Sequence, residues 1–167
     1  MQDRFAGTVL RAEEDGAALP TIGEIGLNQF APYLMNRVMA RWNANLSDEL
    51  KALGITTVKM RVLAILSVTP SLTINELSAF AVTEQSSMSR TLESMEVQGY
   101  IRRTPRPEDM RIRDITITPE GRAAFERLWP NMYRMFRQMF DGIDEAEYRH
   151  FVAILHRILQ NTRNLGG

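Results

Sequence analysis

The stretch RTPRPEDMRIRDITIT, residues 103–118, decides how the rest of the chain is read. It holds four arginines and two prolines, then a run that alternates like a β-strand. Residues 100–104 and 112–118 read as the two strands of a hairpin, with residues 105–110 as the link. Over residues 100–113, Arg102, Arg103, Arg106, Arg111 and Arg113 stand against Glu108 and Asp109, a local excess of three positive charges. The whole chain carries 20 Lys+Arg and 20 Asp+Glu in 167 residues, so its formal net charge is zero. Net charge therefore says nothing about nucleic acid, and only this local concentration does.

Helical signals lie on both sides of the hairpin. Upstream, Thr83 can cap a helix that runs to about Gln98 and is stopped by Gly99, with Met88, Leu92 and Met95 on its inner face. Before it, Thr73 and Glu76 have the spacing of a capping box and open a short helix to about Phe80. Residues 56–67 form another helix, with Val58, Val62, Ile65 and Leu66 on one face. Residues 27–53 repeat apolar side chains at threes and fours, from Leu27 through Leu34, Trp42 and Leu46 to Leu53, and predict a long helix ended by Gly54. Pro32 belongs in its first turn or kinks it.

Downstream, Thr118 followed by Pro119 is an N-cap with proline at the first helical position. The helix it opens spans residues 119–140, with Leu128, Met132, Met135, Phe136 and Met139 as its stripe and a kink expected at Pro130. Asp144 and Glu147 cap a last helix bearing Tyr148, Phe151, Val152, Leu155, Ile158 and Leu159 on one side. The fold class is mainly α with a small β-hairpin wing. A helix-turn-helix followed by a two-stranded hairpin is the winged-helix arrangement.

In that order and spacing, the residues resemble the multiple antibiotic resistance regulator (MarR) family of transcription regulators. The resemblance runs from about Leu27 to the C-terminus and is most specific over residues 83–121. Ser89, Arg90 and Leu92 fall on the second helix of the helix-turn-helix, and Gly99, Tyr100, Ile101, Arg102 and Arg103 enter the wing. Asp109 and Arg111 resemble the family's Asp-x-Arg wing tip, and Ile117, Thr118 and Gly121 resemble its Leu-Thr-x-x-Gly exit. The resemblance implies a homodimeric, double-stranded DNA-binding regulator, read as a ligand-released repressor on a palindromic operator. It divides the chain into an N-terminal arm (1–24), dimerisation helices (25–55 and 141–167), a winged helix-turn-helix lobe (56–118) and a long connecting helix (119–140). The arm carries a short helix near residues 5–14 and lies against something, such as a second subunit. The apolar faces of the first and last helices agree with a dimer, since such faces need a partner. Two recognition helices would then stand ~34–36 Å apart, one turn of DNA.

Candidate contacts follow from what each side chain offers to DNA. At the start of the recognition helix stand Thr83, Gln85, Ser86, Ser87, Ser89 and Arg90. Glutamine pairs bidentately with adenine, arginine with guanine, and serine with several partners. In the wing the candidates are Arg103, Arg106, Asp109, Arg111 and Arg113, since arginine favours narrow minor grooves. The resemblance puts Arg111 in the minor groove and makes Asp109 a brace for an arginine. Arg113 shares strand parity with Ile115 and Ile117, so a salt bridge competes with DNA contact there. The resemblance also implies a small aromatic or phenolic effector, in a cleft that Met35, Met39, Trp42, Met60, Trp129 and Tyr133 could line, with Arg37 or Arg41 to meet an anion. A plain hydrophobic core is the competing reading of those methionines and aromatics.

Other classes find little support. The chain has no cysteine, which removes disulfides, thiolate catalysis and cysteine-held metals. His150 and His156 are six apart rather than four, and residues 141–147 lack the full calcium-loop pattern. Ser86, Ser87 and Ser89 have no base in a nucleophile motif, and there is no glycine-rich phosphate loop, so no enzyme and no cofactor is expected. The first 20 residues have no signal-like apolar core, and no segment approaches ~18 uninterrupted apolar residues. No membrane span is expected, and the cytoplasm is the default. One alternative is a winged-helix dimer that binds another protein and no longer binds DNA. The support for it is a recognition helix with Arg90 set against Glu84, Glu93 and Glu96.

Overall fold

The computed structural model describes residue 10 and residues 20–51, 53–107 and 109–163. Most of the predicted arm, including nearly all of the helix expected at residues 5–14, lies outside them, as does Glu108. The described elements are α1 (Ile22–Ile25), α2 (Ala31–Lys51), α3 (Thr57–Val68), α4 (Ile74–Ala81), α5 (Gln85–Val97), β1 (Ile101–Arg106), β2 (Asp109–Ile117), α6 (Pro119–Met139) and α7 (Glu145–Arg163). The winged-helix order expected from the sequence is present.

Local capping chemistry sets most boundaries. The Thr73 hydroxyl accepts from the Glu76 amide at 3.4 Å while the Glu76 carboxylate accepts from the Thr73 amide at 2.7 Å, the reciprocal box that opens α4. Thr118 caps α6 by accepting from Gly121 N at 3.0 Å, with Pro119 directly after it. Asp144 accepts from the amides of Ala146 and Glu147, both at 2.8 Å, and starts α7. Pro32 sits in the first turn of α2, and α6 continues through Pro130 as one helix.

Two clusters of buried side chains form the core among the described residues, and neither includes α1 or α7. The larger joins Val62, Leu63 and Leu66 of α3, Leu77 and Ala81 of α4, Met88, Leu92 and Met95 of α5, Ile101 and Ile115 of the wing, and Ala124 of α6. The inner face expected for α5 is thus fully buried. The smaller cluster packs Leu46 and Leu50 of α2 on Ile55, Met60 and Leu128. β1 and β2 pair antiparallel, with Ile101 opposite Ile117 and a bulge between Pro105 and Arg106. Both strands extend further toward the tip than the sequence suggested. The segment before α4 adds a third edge: Leu72 and Ile115 exchange backbone hydrogen bonds at 2.9 and 3.1 Å.

The turn between α4 and α5 departs from the sequence reading. Val82 is left-handed, at φ 51° and ψ 58°. That conformation redirects the chain, so Thr83 does not cap the recognition helix; its hydroxyl donates back to Ala81 O at 3.1 Å. Glu84 takes the N-cap position without a side-chain cap bond. The Arg61 guanidinium clamps the same turn, donating to Ala81 O at 3.1 Å and to Asn43 Oδ1 of α2 at 3.3 Å. A β-branched residue in the left-handed region is strained by roughly 1–2 kcal/mol. Asparagine tolerates that region, and Val82 is exposed. Val82→Asn is therefore expected to stabilise the fold by about 1 kcal/mol, read as a rise in Tm of roughly 2–4 °C by calorimetry. An unchanged or lowered Tm would refute the strain.

Candidate nucleic-acid interface

The recognition helix turns Ser86, Ser87, Ser89 and Arg90 outward, while Met88, Leu92 and Met95 fix its opposite face in the core. Its C-terminal end is held from below, where Lys59 Nζ donates to Ser94 Oγ at 2.9 Å and to Gln98 Oε1 at 2.7 Å. Its N-terminal end opens onto a cleft of about 420 Å³ lined by Thr73, Asn75, Gln85, Arg103, Arg111 and Arg113, among others. The fold therefore gathers the start of α4, the start of α5 and three wing arginines around one opening.

The arginines of the wing divide by their partners. Arg103 is bound to Glu96 of the recognition helix: its Nε donates to Glu96 Oε2 at 2.7 Å, and its backbone amide donates to Oε1 at 3.2 Å. Arg106 forks onto Asp114, with Nη2 at 2.6 Å and Nε at 3.2 Å from the two carboxylate oxygens. Both pairs are geometrically strong, as planar guanidinium–carboxylate pairs are. Arg111 and Arg113 are exposed. No hydrogen bond of the Arg111 side chain is found among the described residues, and Arg113 acts on Glu96 only through its charge. Asp109 accepts from the Arg111 amide at 2.9 Å, so it shapes the wing tip through the backbone and not through a guanidinium. The carboxylates that hold a guanidinium are Glu96, on Arg103, and Asp114, on Arg106, and the sequence reading assigned neither. In the strand register Asp114 lies opposite Thr104 and Arg106 opposite Asp109, so the Arg106–Asp114 pair runs diagonally across the hairpin beside the bulge between Pro105 and Arg106, and no local pattern announces that bulge.

These pairings also set acidity. The Arg103 side chain, hydrogen-bonded and positively charged, holds the Glu96 carboxyl below its ordinary value, and Arg106 does the same for Asp114. Glu76 is lowered as well, by its hydrogen bonds to the Thr73 backbone and hydroxyl. A depressed folded-state pKa means that the stability it carries is complete above the unfolded-state value and is lost as pH falls through the folded-state value. Glu96→Gln is thus expected to lower Tm at neutral pH. The gap to wild type should close as pH drops below the usual carboxylate range. A gap that persists unchanged in acid would show that the ion pair does not dock the wing.

The predicted effector residues scatter. A separate groove of about 980 Å³ lies between α2 and α6, lined by Leu34, Arg37, Val38, Arg41, Trp42 and Met135, with others. Of the six residues expected to line a ligand cleft, only Trp42 faces this groove. Met60 is a correction: it is buried in the smaller core cluster with Leu46, Leu50 and Leu128. Met35 and Met39 lie on α2 outside the lining, Met39 well exposed. Trp129 and Tyr133 belong to a run of ring contacts along α6 that starts at Phe125 and reaches Tyr148 and Phe151 of α7. Arg37 and Arg41 do line the groove, and the Arg37 guanidinium lies 5.7 Å from the centre of the Tyr33 ring. Among the described residues, no group of three or more metal-ligating side chains occurs. None of the described helices is long and apolar enough to cross a membrane.

Comparison with known proteins bears on the whole arrangement. Residues 55–112 match the model of the MarR family. The chain is 27% identical over 146 residues to the helix-turn-helix-type transcriptional repressor IacR of Pseudomonas putida, covering 87% of each chain. A MarR-family transcriptional regulator from Silicibacter pomeroyi superposes with a TM-score of 0.81 at 46% identity, over 85% of this chain and 96% of that one. The fold is also shared, at 21% identity and a TM-score of 0.67, with Bordetella bronchiseptica BpsR, over 77% of this chain and 97% of that one; BpsR's DNA binding is regulated by 6-hydroxynicotinic acid. IacR and the Silicibacter pomeroyi protein are transcriptional regulators and not enzymes, and at 46% identity over nearly all of a solved chain, this protein belongs to the MarR family of transcriptional regulators.

Proposed function

We propose that the protein is a homodimeric repressor that binds a palindromic operator and is released by a small aromatic or phenolic effector. The observation that carries the DNA reading is the shared opening of the recognition helix and the wing, with Arg111 and Arg113 exposed beside Gln85. In this reading Gln85, Ser86, Ser87, Ser89 and Arg90 enter the major groove, and Arg111 and Arg113 follow the phosphates into the minor groove. Arg103, Arg106 and Asp109 set the angle and tip of the wing.

Dimerisation is supported by apolar side chains left on the surface. On α7, among the described residues, none is buried, and Phe151, Ile154 and Leu159 are 42%, 37% and 58% exposed. On α2, Leu34, Val38 and Met39 are exposed as well. Helices with such faces are stable only against a partner. Repression is supported by IacR, which bears that description, and effector control by BpsR. The α2–α6 groove, apolar with Arg37 and Arg41 at its wall, suits a planar anion.

Fluorescence anisotropy on the DNA upstream of the protein's own gene, followed by selection from random duplexes, tests the reading, with sedimentation run beside it. Expected are a dimer and tight binding whose logarithm falls steeply with log salt as counterions are released. Aromatic carboxylates and phenols would then be screened for release. Absence of any sequence-selective binding would favour a partner protein instead. The acidic charge that suggested such a partner is reduced here, since Glu96 is neutralised by Arg103.

A further inference from the structure

Asn75 is not in the recognition helix, yet it touches the first residue of that helix. It stands in the opening turn of α4, next to the Thr73–Glu76 box, and is exposed. Gln85 Nε2 donates to Asn75 Oδ1 at 2.8 Å. Both side chains line the cleft that also holds Arg103, Arg111 and Arg113. Neither makes another side-chain hydrogen bond among the described residues.

A glutamine amide has two N–H donors and an oxygen with two lone pairs. Guanine presents two acceptors in the major groove, N7 and O6. Adenine presents an acceptor, N7, beside a donor, the N6 amine. An unrestrained glutamine can turn its amine toward either base. With one N–H held by Asn75, what remains is a single N–H and the Oε1 oxygen. That pair complements adenine and places an oxygen against guanine O6. The hydrogen bond also fixes a side chain that would otherwise lose rotamer freedom on binding.

We infer that Asn75 is a positioning residue that sets the base preference of Gln85, committing it to adenine at one position of each half-site. The inference rests on the DNA-reading function proposed above. It extends specificity to a residue outside the recognition helix.

Selection from random duplex DNA with the full-length protein tests it, followed by anisotropy on single-base operator variants. Wild type should prefer adenine at one position per half-site, and Gln85→Ala should abolish that preference. Asn75→Ala should reduce it roughly tenfold, with guanine gaining most. Asn75→Asp keeps an acceptor for Gln85 and should retain the preference, while its added charge near phosphate weakens binding to all sequences alike. The double variant Asn75→Ala/Gln85→Ala should match Gln85→Ala alone. Melting curves check that each variant folds, and a merely structural role for Asn75 would shift those curves without changing base preference. An Asn75→Ala protein with the wild-type preference overturns the inference, as does a Gln85→Ala protein that still selects adenine there. If wild type selects no sequence at all, the DNA-reading function fails first and this inference goes with it.

Discussion

Replacing Arg111 by alanine is expected to weaken operator binding by roughly a hundredfold, since one arginine contact is worth about tenfold and the proposed dimer would make it twice. The same change should reduce the slope of log affinity against log salt by about 2. The physical basis is the contrast among the wing arginines. Arg103 and Arg106 are occupied by Glu96 and Asp114, whereas Arg111 is exposed and held in place by its backbone bond to Asp109. Because the side chain is exposed, its removal should leave Tm unchanged, which separates loss of a DNA-binding group from loss of the fold. Arg111→Lys keeps the charge but not the planar fork, and should recover only part of the affinity. Arg103→Ala should differ in kind, lowering Tm as well as affinity, because it releases the wing from α5. If Arg111→Ala binds as tightly as wild type, with the same salt slope, the wing does not read DNA.

Gly121→Ala is expected to destabilise the protein by about 3 kcal/mol, or roughly 10 °C in Tm. Gly121 is buried in the first turn of α6, where that helix leaves the wing. A Cβ built there would stand 2.1 Å from Tyr100 O, 2.9 Å from Tyr100 C and 3.0 Å from Ile117 Cγ1. The first two are backbone atoms, so no side-chain rotation relieves the clash. The backbone around them is also pinned. Tyr100 O accepts from Thr118 N at 3.0 Å, and the Thr118 hydroxyl donates to Gly99 O at 2.6 Å while accepting from Gly121 N at 3.0 Å. Relief requires α6 to move off the wing, which opens the larger core at Ala124. Thermal unfolding checks this directly. A variant that melts within about 2 °C of wild type would mean that the junction is softer than its hydrogen bonds indicate.

The glycine at position 121 shows how far the sequence alone reaches. Its place in the wing exit is legible as part of a pattern with Thr118. The reason for it, the Tyr100 carbonyl at the start of the wing standing where a Cβ would go, is not. The same division runs through the molecule. Helix starts at Thr73, Thr118 and Asp144 are legible because a cap and its amide lie within three residues of each other. The inner face of α5 is legible because helical period alone puts Met88, Leu92 and Met95 on one side. The misreading at Thr83 marks the limit, because nothing local says that Val82 turns left-handed and swings the hydroxyl back to Ala81.

The sequence by itself determined the order of the elements from α2 onward, the winged-helix class and the location of a basic hairpin beside a polar recognition helix, but not the one-turn helix α1. Those depend on short-range hydrogen bonds and on periodicity. Tertiary structure decided that Arg103 and Arg106 are bound to carboxylates, that Met60 is core, and that Asn75 meets Gln85. Each of those depends on which side chains from distant segments arrive within about 3 Å of one another, the reach of a hydrogen bond. That is fixed only once the helices have packed and the bulge after Pro105 has set the register of the wing.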